Sequence, residues 1–228
     1  MKENLIILVM KNKVPILITA KDISIRCPGK NLVLFKFLLK YYLGDYFSRV
    51  TLISNSNDLI NLAKENNIKS YFHPGVNGEF QCAWDYLKEN DLLSVGSFIL
   101  LPLTQPLREV GLMNRILEES ISDYDFITTY TNYPDRKLFE VTDDGKFKYP
   151  SPQGRLGRLC GSNKILDGAL YRIKVEFLSQ VINSPNHNFH FWSGNFKLIK
   201  NKMPFLDIDT PEDLEKLQNL VKLLSNIP

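Results

Sequence analysis

Cysteine is scarce in this chain: Cys27, Cys82 and Cys160 are three among 228 residues, odd in number, widely spaced and in no Cys-x-x-Cys arrangement. That argues against a disulfide framework or a cysteine-based zinc site and suits a reducing, cytoplasmic setting. Charge of one sign is scarce as well. The formal net charge is only +3 and no long block of like charges occurs, so a nucleic-acid-binding surface is not expected. Long apolar runs are missing too. Residues 5–10 form a run of six that is followed at once by Lys11 and Lys13, whereas a membrane span needs roughly 20 apolar residues. The same run lacks the length and the small-residue cleavage site of a secretory signal. It reads either as an extra strand or as a frayed start, and no membrane partner is expected. Internal repeats and low-complexity segments are absent.

A hydrophobic content of 44% over this length supports one substantial core, so a single domain over 1–228 is expected. Residues 15–20 are almost continuously apolar, the pattern of a strand buried on both faces. The chain then breaks into a turn carrying Lys21, Arg26 and Lys30, with Pro28-Gly29 before the last cation. Leu34, Phe35, Leu38 and Tyr42 recur at helical spacing, and Gly44 can close that helix. A strand over 50–54 and a helix over 59–66 follow, with Asn57 or Asp58 available as a cap. Alternation of strands and helices predicts a parallel sheet with right-handed crossovers. Open α/β sheets bind ligands at the carboxyl ends of their strands, which makes the basic turn a candidate anion site.

Further along, 70–79 reads as loop, 80–89 as helix and 97–101 as the third core strand. That strand runs into Pro102-Leu-Thr-Gln-Pro-Leu-Arg108, where two prolines leave backbone acceptors free. A helix over 111–120 and a strand over 126–130 come next. Residues 133–163 are polar and turn-rich, with Asp143-Asp-Gly145 as a hairpin turn, and form a loop-rich arm with little apolar content of its own. Strands are then expected over 165–173, 197–199 and 205–208, with helices over 175–182 and from Pro211 to about Leu224. His187 and His190 follow a Ser-Pro-Asn turn without a nearby carboxylate or cysteine and read as surface residues, while Trp84 and Trp192 read as core or interface.

At this point the chain resembles the acylneuraminate cytidylyltransferases, which join CTP to sialic acid and related sugar acids. That family's first motif, a strand followed by Ala-Arg-x-Gly-Ser-Lys-x-x-Pro-Gly-Lys-Asn, is matched in ungapped register by Ala20, Ser24, Pro28, Gly29, Lys30 and Asn31, with Lys21 at the arginine position. Its Leu-Gln-Pro-Thr-Ser-Pro-Leu-Arg is echoed by Leu101 to Arg108, and its Asp-x-Asp by Asp207-Ile-Asp209. A strand of the Asn-Gly-Ala-Ile-Tyr type, preceded by an Arg-Gln pair, resembles Asp167-Gly-Ala-Leu-Tyr171 and Arg158. The chain departs from the pattern at Asp22 and Ile23, at Ile25 in place of a lysine, at Asn55-Ser56 in place of Thr-Asp, and at Pro102 in place of a cytosine-reading glutamine.

The resemblance implies a three-layer α/β fold with a mostly parallel Rossmann-like sheet of the nucleotide-diphospho-sugar transferase type; the arm, with so little apolar content of its own, is expected either to reach a second subunit, which makes a homodimer, or to be poorly ordered. The resemblance also implies transfer of CMP from CTP to a nonulosonic-type sugar acid with Mg²⁺ as cofactor and release of pyrophosphate, in the service of cell-surface polysaccharide. Lys21, Lys30 and Asp209 would be catalytic. Ala20, Ser24, Arg26, Lys30, Asn31 and Ser54 would bind the nucleotide, and Asp207 and Asp209, two apart on a strand and so on one face, would hold the metal. Thr104, Gln105, Arg108 and Arg158 would bind the sugar acid, with a basic residue from Arg108, Arg155 or Arg158 receiving its carboxylate.

Other readings of the same residues stay open. The basic turn is equally a solvated loop. Asp207 and Asp209 equally lead into a capped helix, and Arg108 equally neutralises its loop or pairs with Glu109. Transfer of another base or to another sugar, or a non-catalytic relative that keeps the fold for binding, are the alternatives to a cytidylyltransferase.

Overall fold

The computed structural model describes residues 14–74, 78–134, 140–141, 147–148 and 162–225. The first half runs β1 (Ile16–Ala20), α1 (Lys30–Tyr41), a 3-10 turn (Gly44–Arg49), β2 (Val50–Ser54), α2 (Asn57–Glu65), β3 (Lys69–Phe72), α3 (Glu79–Glu89), β4 (Ser97–Leu100) and α4 (Leu112–Glu118). The second half runs β5 (Phe126–Pro134), β6 (Glu140–Val141), β7 (Phe147–Lys148), β8 (Ser162–Lys174), α5 (Val175–Ile182), α6 (His187–Ser193), β9 (Phe196–Lys200) and α7 (Pro211–Ser225).

Seven strands form one sheet in the order β3-β2-β1-β4-β8-β5-β9. Every pairing is parallel except those of β8, which runs antiparallel to both β4 and β5. The sheet is sandwiched between two apolar layers, because successive side chains of a buried strand alternate between faces. Ile16 and Ile18 of β1 belong to a layer with Leu34, Phe35 and Leu38 of α1 and Ile116 of α4. Leu17, between them, belongs to the opposite layer with Ala83 and Leu87 of α3 and Leu178 and Val181 of α5. This is why the run over 15–20 needs apolar residues at consecutive positions. From β1 the chain first builds outward to β2 and β3, then returns to place β4 on the other side. The resulting switch point lies between β1 and β4, where open α/β sheets open a crevice at the strands' carboxyl ends. No described helix is long and apolar enough to cross a membrane.

Several local features differ from the sequence expectation. Part of 70–79 is strand: β3 starts at Lys69 and pairs with β2 as the sheet edge, and Lys69 and Phe72 at its two ends are exposed, on opposite faces, which hides the usual apolar pattern. Residues 205–208 are not in a strand. They belong to a connection held to the Pro102–Arg108 loop by Ile208 N–H donating to Thr104 O at 2.8 Å. Ser56, and not Asn57 or Asp58, stands at the start of α2, and Gly44 opens a 3-10 turn instead of closing α1. The segment around His187 and His190 is the helix α6, capped by Asn186 Oδ1 accepting from Phe189 N–H at 3.0 Å. Most of the arm over 133–163 lies outside the described residues. β6 and β7 pair antiparallel on either side of 142–146, the arrangement expected around Asp143-Asp-Gly145, which itself lies outside them.

The start of α7 is a capping box. Asp213 N–H donates to Thr210 Oγ1 at 3.3 Å, Thr210 N–H donates back to Asp213 Oδ2 at 3.2 Å, and Lys216 Nζ reaches Asp213 Oδ1 at 2.8 Å. Lys216 first, then Thr210, hold the Asp213 carboxyl down at about 2, against 3.8 ordinarily. A carboxyl depressed by folding stabilises the native state fully above its unfolded value and ceases to do so as pH falls through its folded value. The stability advantage of the wild type over Asp213→Asn in thermal melts should therefore hold near neutrality and shrink as pH is lowered from about 4 to about 2. A difference that stays constant across that window would rule out the ionised cap.

Candidate active site

The crevice is built by three loops that leave the carboxyl ends of the sheet or run beside them. The first is the basic turn after β1. Its entry is fastened by Asp22 N–H donating to Asn55 Oδ1 at 2.7 Å, and its exit by Asn31 Nδ2 donating to Lys21 O at 2.8 Å. Gly29, with φ 76°, takes the left-handed conformation that swings the chain into α1. Lys30 follows as the first residue of α1 and is only 6% exposed. Its ammonium donates to Ile208 O at 2.5 Å and lies 3.3 Å from Asp209 Oδ1. Arg26 reaches the same carboxylate oxygen from the solvent side at 2.9 Å. Ile23 and Ile25 project outward from the turn, 72% and 93% exposed.

The second loop carries Asp207 and Asp209 after β9, and the third is Pro102–Arg108 after β4. Thr104 joins them: its carbonyl accepts from Ile208 N–H, and its side chain hydrogen-bonds Asp207. Burial, and then the neighbouring charge of Asp209, raise the Asp207 carboxyl above its usual value, against the opposing pull of Lys30, Thr104 and Arg26. The two carboxylates are therefore crowded into one cleft of about 480 Å³ with Lys21, Arg26 and Lys30. Asp207 and Asp209 share this cleft although they lie on an irregular connection instead of a strand. Thr19 Oγ1 is buried at its floor with no hydrogen-bond partner among the described residues.

A second cavity of about 650 Å³ adjoins the first, with Thr104 and Glu79 common to both. Phe80, Tyr171, Phe191 and Trp192 give it aromatic lining, and Gln105, Asn186, His187 and Asn188 give it polar lining. Gly168 lines it with φ 61°, and an added Cβ would stand 3.0 Å from the Tyr171 hydroxyl, so a side chain there would force that hydroxyl to shift. Burial, followed by the charges of Glu79 and Asp167, pushes Tyr171 up to about 12 and keeps it a neutral hydroxyl. Glu79 also faces a side pocket of about 40 Å³ beneath Lys21. Its crowded surroundings raise its pKa, and Lys21 partly offsets this.

Of the expected site residues, Ala20, Lys21, Ser24, Arg26, Lys30, Asn31, Thr104, Asp207 and Asp209 line the first cleft. Gln105 lines the second. Ser54 is buried, accepts from Ser56 N–H at 3.0 Å and faces only the side pocket. Arg108 requires a correction: it does not line either cavity. It is 7% exposed, donates through Nε to Ala169 O at 2.8 Å and through Nη2 to Pro102 O, and stacks over Tyr42 at 5.3 Å. Burial lowers it to about 10, so it remains a cation at neutral pH, engaged in holding backbone carbonyls. Nor does it pair with Glu109, which is taken by Arg115. Arg155 and Arg158 lie outside the described residues. Glu79, Tyr171, His187, Phe191 and Trp192 are cavity residues that sequence reasoning did not select. Tyr171 was within reach, since it ends the Asp167-Gly-Ala-Leu-Tyr segment, whereas nothing in the local sequence distinguishes Glu79 from any first-turn acid of a helix.

The mostly parallel seven-stranded α/β sheet with its two helical layers matches the nucleotide-diphospho-sugar transferase fold. Solved structures that share it include a CMP:2-keto-3-deoxy-manno-octonic acid synthetase complexed with CTP, with a TM-score of 0.68 and 14% identity over 92% of this chain and 98% of that one. A cytidylyltransferase from Leptospira borgpetersenii serovar Hardjo-bovis gives 0.63 and 17% over 92% and 87% of the two chains. A 4-diphosphocytidyl-2C-methyl-D-erythritol synthase from Anaerococcus prevotii gives 0.57 and 12% over 94% and 99%. At such identities the likeness is one of fold. No protein-family model matches the sequence, and no curated protein matches it at a significant level.

Arg108 provides a test of this geometry. Arg108→Met should lower stability to urea by about 2–4 kcal/mol, because it strips charged donors from two buried carbonyls. An unchanged midpoint would show that the guanidinium is not a structural support.

Proposed function

We propose that this protein is a Mg²⁺-dependent nucleotidyltransferase that moves CMP from CTP to a nonulosonic-type sugar acid and releases pyrophosphate. One observation carries the reading: three cations and two carboxylates meet in a cleft at the sheet's switch point, and that cleft opens into a second cavity of a size and polarity suited to a sugar. The first-motif match at Ala20, Ser24 and Pro28–Asn31 supports a nucleotide in the cleft, and so does the fold shared with a synthetase complexed with CTP.

In this reading the triphosphate lies along the basic turn. Lys21 supplies an exposed point charge and Lys30 a fixed one, while the orphaned Thr19 hydroxyl is available for hydrogen bonding. Asp207 and Asp209 offer hard oxygen ligands only, and no cluster of three or more such ligands forms among the described residues. A pair of carboxylates is the protein share that Mg²⁺ takes when substrate phosphates complete its shell. When bound there, Mg²⁺ shields the triphosphate and stabilises the leaving group. The acceptor occupies the second cavity, with its ring against Tyr171 and Phe191 and its hydroxyls toward Gln105 and Asn186. Its hydroxyl oxygen attacks the α-phosphorus as the bond to the β-phosphate oxygen breaks, pyrophosphate departs and the hydroxyl proton passes to water. Alignment of two substrates across the shared Thr104 and Glu79 wall, together with cations around the developing charge, is what the protein contributes.

CTP as the nucleotide rests on the resemblance and on the fold neighbours, because Pro102 has no side-chain donor for a base. With Arg108 committed to the core, the acceptor carboxylate falls to Arg155 or Arg158 of the arm, which we also propose reaches a second subunit. Cytoplasmic residence and a role in polysaccharide synthesis belong to the same proposal.

The test is pyrophosphate release with Mg²⁺, each of the four nucleoside triphosphates and a panel of sugar acids. Release with CTP alone is expected. Release with another triphosphate would move the base specificity, and none across the panel would favour a binding protein. Asp207→Asn should lower turnover by about a hundredfold or more. It is a cleaner variant than Asp209→Asn, because Asp209 also neutralises buried Lys30.

A further inference from the structure

Asp209 holds two cations of very different freedom on one oxygen. Lys30 is buried and anchored by Ile208 O at 2.5 Å, so it stays with the carboxylate whatever else binds. Arg26 reaches the same Oδ1 at 2.9 Å from an exposed turn, with its side chain 70% accessible, and so ties the basic turn to the Asp207–Asp209 loop. A divalent cation on either oxygen of Asp209 brings two positive charges beside Arg26 and Lys30, and of these two only Arg26, on an exposed side chain, is free to move away. Once released, its guanidinium lies on the cleft rim among Lys21, Ser24 and Asn31, where a polyphosphate would lie.

We propose that Arg26 is a positioning residue that couples the two ligands: it masks Asp209 while the cleft is empty, is displaced by the metal, and transfers to the phosphates of the nucleotide. This rests on the reading above that Asp209 is a metal ligand in a nucleotide site. The residue takes no part in bond making. It makes metal and nucleotide each bind more tightly in the presence of the other, because each removes a competitor or a repulsion that the other faces, and such coupling is reciprocal. The departure at Ile25 fits this role: its side chain is 93% exposed and apolar, so the adjacent Arg26 is the cation that this part of the turn can bring to a phosphate.

The experiment measures Mn²⁺ binding by electron paramagnetic resonance without nucleotide, and CTP binding by calorimetry with and without Mg²⁺ and without acceptor. Removal of an exposed ion-pair competitor should tighten Mn²⁺ binding to Arg26→Ala by about two- to sixfold, while CTP binding in Mg²⁺ weakens. The ratio of CTP affinities with and without Mg²⁺ should fall in the same variant, which a merely structural loss would not produce. Arg26→Gln, which keeps the length of the side chain, should behave the same way. Mn²⁺ affinity that is unchanged or weakened in both variants, with wild type binding Mn²⁺, overturns the coupling role and leaves the metal site intact. Absence of Mn²⁺ binding to wild type at millimolar concentration overturns the metal site itself.

Discussion

The ammonium group of Lys30 is the constraint on which this architecture turns. It is a cation almost removed from water at the first turn of α1, and it is tolerable there because a carbonyl and a carboxylate from the far end of the chain receive it. Truncation of one partner of such a buried pair leaves an uncompensated charge, at a cost of about 3–5 kcal/mol. The consequence is positional. The basic turn, α1 and the Asp207–Asp209 connection are joined by Lys30, so the groups that surround the cleft are set by a contact between the beginning and the end of the described chain.

A second polar arrangement does the same for the loop after β4. Asp167, buried in β8, accepts from Thr129 in β5, from Ala169 N–H and from Asn201 Nδ2 at 2.8 Å, and Asn201 also donates to Leu107 O at 3.0 Å. Arg108 fastens the other side of that loop to β8 and to its own Pro102 carbonyl. None of the side-chain polar atoms of Asp167, Thr129, Asn201 and Arg108 is buried without a partner, the condition under which such networks rigidify a fold instead of weakening it. Thr104 and Gln105 sit on the loop so fixed. One reaches the first cleft and both reach the second, so the relation of the two cavities is a property of the core and does not depend on surface side chains.

Much of the fold was legible in the sequence where one face or both faces of an element are buried. The consecutive apolar residues over 15–20, the helical periods over 34–42 and 175–182, and Pro211 at the head of α7 all express burial directly, and the structure has elements there. Legibility failed where burial was partial. The edge strand β3 exposes Lys69 and Phe72, and the short helix α6 buries little besides Phe191. Residues 205–208 have a strand-like composition, but the segment is a connection that crosses to Thr104 without joining the sheet. Arg108 shows a different limit: a motif can indicate that an arginine is present but not whether its five donors face a ligand or the backbone of its own loop.

By itself, then, the sequence determined the α/β class, the order of the core elements and the chemical types gathered for the site: cations after β1, a threonine after β4, carboxylates before α7. Those follow from short-range patterns of burial and turn chemistry. Only the tertiary structure decided which of these groups meet. Lys30 and Ile208 are 178 positions apart in sequence, and their contact depends on the return of the chain past β9 to the switch point between β1 and β4. The stacking of α3, α5 and α6 in the opposite layer places Glu79 and the aromatic residues of α6 at the second cavity, because which cavity a side chain faces is a matter of how the layers stack, and no local pattern encodes it.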